Sequence, residues 1–306
     1  MNILLLVGCK TNLFNHRLNI GFMQKLGKIS GVENLWIYEY RTISKLNTTP
    51  FSLYQKFKPD IVICYAHAGH FDLDDIRKIT CPKVCIEVDY YKSPKSKIGT
   101  YQRAKFDLIL QRGSFRLPEF GIPTAWLPFS ADTNVFSPLL KLRRKENCVG
   151  LAASINAPIY SQRKIAANKL QAAGLLNICK RCFGDVKYST FLRKTRIILT
   201  STEINSPHGK LFETMASGSV ALTSDFNGEQ ELFGSTPCFI KYRPDCSDIV
   251  EQAKFFITHP ISYQELQLNS IKVFQEKHTD DIRLKELYQH LENLLQGKPV
   301  VKPWGF

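Results

Sequence analysis

The chain has 306 residues, of which 44% are apolar and 22% charged, with a formal net charge of +14. That length exceeds one ordinary core and suits two α/β domains of about 150 residues each. No apolar run approaches the roughly 20 residues of a membrane-spanning helix, so no transmembrane segment is expected. The opening Asn-Ile-Leu-Leu-Leu-Val-Gly lacks a basic lead-in and reads as a buried first strand rather than a signal peptide. Ile3–Val7 is that strand, ended by Gly8, and Leu18, Phe22, Met23, Leu26 and Ile29 then recur at helical spacing. Leu35–Tyr40, Lys58–Tyr65, Val84–Asp89, Phe106–Leu110 and Thr124–Leu127 supply five further strands. Near-continuous apolar strands alternating with amphipathic helices predict a parallel sheet covered on both faces.

The composition breaks at Ser137-Pro138 and the basic run Lys141-Leu-Arg-Arg-Lys145, and then the pattern restarts. Cys148–Ala152 is a strand, Ser161–Ala173 a helix, Arg196–Thr200 a strand, and Lys210–Ser217 a helix stopped by Gly218. Val220–Thr223 and Phe239–Tyr242 are strands, and the helices Ser262–Glu276 and Asp280–Leu295 follow. The predicted architecture is α/β, with two Rossmann-like doubly wound domains facing a central cleft. Residues 1–140 form the first domain, 141–146 a basic linker and 147–278 the second domain. A final helix and tail, 279–306, packs back across them. Ligands of such sheets bind at the carboxyl ends of the strands, which singles out the residues just past each strand.

Nine cysteines is an odd count, and Cys64, Cys85 and Cys148 lie inside apolar strands. This predicts reduced, buried thiols in a cytoplasmic protein. Cys179-x-x-Cys182 and Cys81-x-x-x-Cys85 do not assemble the four ligands of a tetrahedral site, so no metal is expected. Asp72-Leu-Asp74 opens a helix over Asp72–Ile79, where acidic residues favour the positive end of the helix dipole.

The most informative segment is Ser206-Pro-His-Gly-Lys-Leu-Phe-Glu-Thr-Met-Ala-Ser-Gly218. Pro207, His208 and Gly209 set a turn into a helix whose first free N–H groups suit a diphosphate. Lys210 and Glu213 are one turn apart and share a face, while Leu211, Phe212, Met215 and Ala216 turn inward. Lys210 is placed to meet phosphate oxygens and Glu213 to accept hydrogen bonds from ribose hydroxyls. From spacing alone, a surface ion pair on an ordinary helix is an equal alternative.

This segment, continued by Val220-Ala-Leu-Thr-Ser-Asp-Phe, resembles the signature of glycosyltransferase family 4 and the related spore-maturation (CgeB-type) family. Leu127-Pro-Phe-Ser-Ala-Asp-Thr-Asn-Val-Phe136 is similar to the segment that closes the family's N-terminal domain. Lys58-Pro-Asp-Ile-Val and Tyr188-x-x-Phe-Leu-Arg-Lys-Thr-Arg-Ile-Ile-Leu199 also fit in order. The resemblance implies a GT-B fold and a metal-independent, retaining hexosyl- or pentosyltransferase. It needs no cofactor and takes a nucleotide-diphosphate sugar as donor, a UDP-sugar first among them. It implies that Arg163, opening a helix after the strand Cys148–Ala152, meets the diphosphate with Lys210, His208 and Gly209. Many members carry a second glutamate eight residues before the ribose-binding one; here that position is Asn205, which leaves the sugar open.

In the first half, His67 and His70 follow the third strand and Asp89 ends the fourth. Asp89 and His67 are the candidates to orient or deprotonate the acceptor hydroxyl. Gly8 is the candidate for a close turn beside the sugar phosphate. Residues 92–116 carry seven cations against one anion, with Tyr90, Tyr91 and Tyr101 interleaved. Such a block is either a solvated face or a surface for an anionic acceptor, such as modified nucleic acid or a glycan or lipid at a membrane. The different-class alternative is a catalytically silent GT-B scaffold that binds a polyanion or nucleotide.

Overall fold

The structure, a computed structural model, describes residues 1–8, 21–39, 43, 48–65, 70–88, 94–114, 121–138, 146–155, 160–179, 185–200 and 205–299. The chain divides into two compact units, Met1–Pro128 with Arg283–Phe306, and Phe129–Ile282. The basic run 141–145 and the tail from Val300 lie outside the described residues.

The first unit is built on six strands: β1 (Asn2–Val7), β2 (Asn34–Glu39), β3 (Ile61–Tyr65), β4 (Lys83–Glu87), β5 (Leu108–Gln111) and β6 (Thr124–Trp126). They lie in the order β2-β1-β3-β4-β5-β6 and every pairing is parallel. Alternation along β1 explains its uninterrupted apolar run. Ile3, Leu5 and Val7 join one core cluster, and Leu4 and Leu6 join the cluster on the opposite face. Leu284, Leu287 and Leu291, from the helix Asp280–Leu295, belong to the first of these clusters. At about 1.5–3 kcal/mol for each fully buried leucine, this stripe ties the last helix firmly into the first unit.

Three helices of this unit are fully bounded: α1 (Pro50–Phe57), α2 (Leu73–Arg77) and α3 (Pro94–Ala104). Thr49 and Ser52 form a reciprocal capping box at the start of α1, with Pro50 in its first turn. Lys58 closes α1 in the left-handed conformation, φ 48°, donating its N–H to the Tyr54 carbonyl. The strand expected from Lys58 therefore begins only at Ile61. Asp72 caps α2 through the N–H groups of Asp74 and Asp75, the role expected of an acidic helix start.

Among the described residues of the basic segment 92–116, Lys97, Arg103 and Arg112 have partners within the unit. Lys97 on α3 clasps the buried carboxylate of Glu87 at 2.7 and 2.8 Å, and Tyr101 donates its hydroxyl to the same carboxylate at 2.6 Å. Arg103 pairs with Asp74, and the Arg112 guanidinium lies 4.7 Å from the Phe22 ring centre. Tyr101 is buried, so the expected stacking of a nucleic-acid base on its ring is corrected. The hydroxyl reaches the one carboxylate at the end of β4, and the ring fills the core behind it. Tyr90 and Tyr91 lie outside the described residues.

The second unit carries β7 (Glu146–Leu151), β8 (Leu176–Ile178), β9 (Thr195–Leu199), β10 (Val220–Thr223) and β11 (Phe239–Lys241). Their order is β11-β10-β9-β7-β8, again all parallel. Around them lie α4 (Ser161–Ala172), α5 (Asp185–Lys194), α6 (Gly209–Ala216), α7 (Glu229–Phe233), α8 (Ile249–Thr258) and α9 (Pro260–Lys277). The final helix, α10, is Asp280–Leu295. Gly150 explains how α5 reaches the sheet: a Cβ there would lie 2.8 Å from both Phe191 and Thr195. With Arg283 onward assigned to the first unit, each sheet has its own core.

Among the described cysteines, Cys64, Cys81, Cys85, Cys148, Cys238 and Cys246 are free thiols. Burial pushes the Cys64 thiol up to about 12. Cys179 departs from the expectation of reduced thiols, because it is disulfide-bonded. No helix among the described residues is long and apolar enough to cross a membrane.

Candidate functional site

Strand order locates the place where the second sheet can hold a ligand. β7 is flanked by β8 on one side and β9 on the other, so the chain reverses its winding direction between β7 and β9. A crevice opens at the carboxyl ends of strands at such a switch point. The two cations of interest meet the chain there, just past Leu151. Lys210 donates from Nζ to the Ala152 carbonyl at 2.8 Å, and Arg163 donates from Nη1 to the Ser154 carbonyl at 2.9 Å.

Arg163 sits in the first turn of α4, nearly buried, with its guanidinium 4.3 Å from the ring centre of Tyr160. The carbonyl and the ring hold its planar head in one orientation. Lys210 is in the first turn of α6 and half-buried. Desolvation holds its ammonium below the usual lysine range; Glu213 opposes that shift and Arg163 adds to it. Glu213 and Arg163 are therefore both within electrostatic reach of Lys210.

Helix α6 forms because Leu211, Phe212, Met215 and Ala216 make one buried stripe at helical spacing. His208 is its N-cap in extended conformation and gives the first turn no side-chain hydrogen bond. The positive end of this helix thus carries backbone N–H groups that its cap side chain does not take up. Gly209, the first helical residue, keeps this entrance open. A Cβ built on it would lie 3.6 Å from the Phe129 ring and 3.7 Å from Glu213 Oε1.

Glu213 lies one turn further along, and the Tyr188 hydroxyl on α5 donates to its Oε2 at 2.7 Å. The Tyr188 phenol is raised well above its usual value, first by burial and then by the charge and hydrogen bond of Glu213, so it remains a donor at neutral pH. The Lys210 ammonium lies 4.9 Å from the centre of the Tyr188 ring. A helix front, two cations and a carboxylate one turn later suit a ligand with an anionic group and neighbouring hydroxyls.

The structure thus brings together Arg163, His208, Gly209, Lys210 and Glu213 around the front of α6. Lys210 and Glu213 each have a described partner other than the other, Ala152 and Tyr188. Gly8 lies in the first unit, where its N–H donates to the Tyr65 carbonyl at 3.0 Å and its own carbonyl meets His70 Nδ1 at 2.5 Å. The first bond joins the ends of β1 and β3, and the second ties His70 back to the end of β1. His67 and Asp89 lie outside the described residues. Sequence reasoning gave Tyr188 no part in the site, although it opens the segment Tyr188–Leu199 that fits the family pattern. Asn205 holds a left-handed backbone, φ 49°, and its carbonyl accepts from the Asn227 N–H at 2.8 Å. Asparagine tolerates that conformation better than a glutamate would.

Residues 170–289 match a family model described as glycosyl transferase-like. Among solved structures, a sucrose-phosphate synthase from Thermosynechococcus elongatus is similar at TM-score 0.68 and 9% identity, covering 97% of this chain and 100% of that one. A protein of Anabaena solved with UDP and glucose is similar at TM-score 0.68 and 9% identity, covering 96% and 100%. An α-glucosyltransferase solved with UDP-glucose and DNA containing an abasic site is similar at TM-score 0.63 and 13% identity, covering 96% and 99%. No curated protein matches the chain. At these identities the likenesses establish the fold, which is GT-B.

Proposed function

We propose that this chain of GT-B fold is a glycosyltransferase whose second unit holds a UDP-sugar and releases its sugar to a hydroxyl acceptor. One observation carries the reading: Lys210 and Arg163 converge past the end of β7 at the front of α6, with Glu213 one turn behind. The diphosphate sits against the N–H groups of α6 and takes the two cations, which exchange the Ala152 and Ser154 carbonyls for phosphate oxygens. The ribose hydroxyls reach Glu213. As the glycosidic bond breaks, negative charge grows on the departing diphosphate, and preorganised cations stabilise it where it develops. In this reading the two side chains perform the neutralisation that a divalent ion performs in other transferases. Two of the similar structures were solved with UDP or a UDP-sugar, which favours uracil as the base.

The acceptor belongs to the first unit in this proposal, where Asp89 and His67 remain candidates to orient its hydroxyl. A polyanionic acceptor is less supported than the charge of 92–116 suggested, because Lys97, Arg103 and Arg112 are engaged within the unit. Retention of anomeric configuration is part of the proposal and rests on the resemblance of the 206–218 segment to family 4.

The test is a panel of UDP-, GDP- and ADP-sugars scored by thermal shift and by release of nucleoside diphosphate. A ligand bound only by the folded chain raises Tm. UDP-sugars are expected to give the largest shift and a slow release of UDP. Losing the charged hydrogen bond in Glu213→Ala costs about 1.5–3 kcal/mol, or roughly 10- to 150-fold in affinity. An unchanged shift in that variant removes the ribose assignment, and tight binding without any turnover favours the silent scaffold.

A further inference from the structure

We infer that Tyr188 is a positioning residue for the donor, holding the ribose-binding carboxylate and the phosphate-binding ammonium with a single side chain. The inference rests on the donor site proposed above and adds to it a residue that touches no substrate.

Three contacts converge on this tyrosine. Its hydroxyl donates to Glu213 Oε2 at 2.7 Å. Its ring faces the Lys210 ammonium, 4.9 Å from ring centre to Nζ. On another side Phe136 meets it edge-on, with centres 5.8 Å apart and planes at 82°. The side chain is almost fully buried, so the ring is a fixed wall rather than a mobile neighbour.

A glutamate has three side-chain torsions, and a lysine has four. Each loses that freedom when it grips a ligand, and the loss is charged against affinity unless something has already ordered it. Tyr188 orders both. Its hydroxyl fixes Oε2, and Oε1 of the same carboxylate lies 3.7 Å from the position of a Cβ built on Gly209. The ring restrains the ammonium through its π face, while the Ala152 carbonyl restrains it by a hydrogen bond. Because burial and Glu213 keep the phenol protonated, the donor bond persists across the working pH range.

Two substitutions separate the two halves of the role. Tyr188→Phe keeps the ring, its packing on Phe136 and the wall beside Lys210, and removes only the bond to Glu213. Tyr188→Leu removes the wall as well. The measured quantities are dissociation constants for UDP, 2′-deoxy-UDP, 3′-deoxy-UDP and inorganic pyrophosphate, with Tm recorded for each variant. The wild-type chain is expected to prefer UDP over at least one deoxy analogue by about tenfold or more, and Glu213→Gln to erase that preference. Tyr188→Phe is expected to weaken UDP by about fivefold, to lose most of the ribose preference and to leave pyrophosphate unchanged. Tyr188→Leu is expected to weaken pyrophosphate too.

A purely structural tyrosine behaves differently: Tyr188→Phe then lowers Tm and weakens every probe by one common factor, with the preference intact. That result overturns the inference while leaving the donor site standing. A wild-type chain with no ribose preference overturns the assignment of Glu213 and this inference with it. Should Tyr188→Phe not fold, Glu213→Asp, which keeps the charge but withdraws the carboxylate from the phenol, must show the same loss of preference; retention of the preference there counts against the proposal.

Discussion

Lys210 and Arg163 grip backbone carbonyls two residues apart, Ala152 at 2.8 Å and Ser154 at 2.9 Å, so a single turn of chain past β7 organises both cations. The carbonyls are weaker partners than phosphate oxygens, which carry full charge. In the proposed donor complex a diphosphate would therefore displace them without leaving either cation unbonded.

The ammonium of Lys210 sets a pH dependence for that exchange. Burial lowers its pKa below the ordinary lysine value, and an incoming diphosphate raises it again. Protonated Lys210 binds the anion and neutral Lys210 does not. Affinity for UDP is therefore full below the lowered pKa and falls as pH rises through it, with proton uptake on binding in that range. Titration calorimetry in buffers of different ionisation enthalpy reads the uptake directly. Lys210→Arg, whose guanidinium stays charged, is expected to flatten the profile even if it binds more weakly. Binding of UDP without proton uptake at any pH on the alkaline limb, with affinity unchanged there, would falsify the assignment.

Arg163 is expected to matter more for turnover than for binding. Its guanidinium is already ordered by the Tyr160 ring and the Ser154 carbonyl, so it meets growing charge without reorganising. Removing one such donor typically costs about 10²–10³ in rate. Arg163→Ala should lower the rate of UDP release by that order while raising the UDP dissociation constant far less. Equal losses in both would mean that Arg163 contributes only to ground-state binding.

The elements that sequence resolved best were those with an uninterrupted apolar run or a strict helical stripe. β1 and β10 fall within a residue of expectation, and the α10 helix falls on it, because burial on both faces or along one stripe dictates their composition. β8 was not foreseen. It is a three-residue edge strand, partly exposed, with no core-facing run to announce it. Helix α8 was missed for another reason: Ile-Val at its start and Phe-Phe-Ile near its end favour strands locally, and only packing of Ile249 and Ala253 on the second core settles the matter. At the site, the spacing of Lys210 and Glu213 was legible because both lie on one short helix. Tyr188 was not, since a contact across 25 residues leaves no local pattern. The basic block misled in a related way. Charge can be counted from sequence, but the pairing of Lys97 with Glu87 depends on β4 and α3 folding against each other.

That buried pair makes a stability prediction independent of the donor site. Lys97→Met removes the counter-charge of a fully buried carboxylate and is expected to cost about 3–5 kcal/mol in urea unfolding. Adding Glu87→Gln should recover most of the loss, because the amide oxygen can still accept from Tyr101. UDP affinity of the folded variants should stay as in the wild type, the pair and the donor residues belonging to different units. A single variant as stable as the wild type would show that water reaches Glu87.

Gly218 tests how firmly the end of α6 is fixed. The residue follows the C-cap Ser217 with φ +67°, a conformation in which an L side chain costs roughly 1–2 kcal/mol. A Cβ there would also stand 3.2 Å from the Pro138 Cβ, and a proline ring cannot swing aside as a flexible side chain would. Both terms have the same sign, so Gly218→Ala should destabilise the second unit by more than the backbone term alone. The front of α6 lies two turns away, and Lys210 and Glu213 keep their partners just past β7 and on α5. The variant is therefore expected to lower Tm by several degrees while leaving the UDP dissociation constant within about twofold, provided binding is measured well below the transition. A large loss of affinity at unchanged Tm would mean that the C-terminal turn of α6 sets the position of its first, and that the helix slides as a unit when the donor binds.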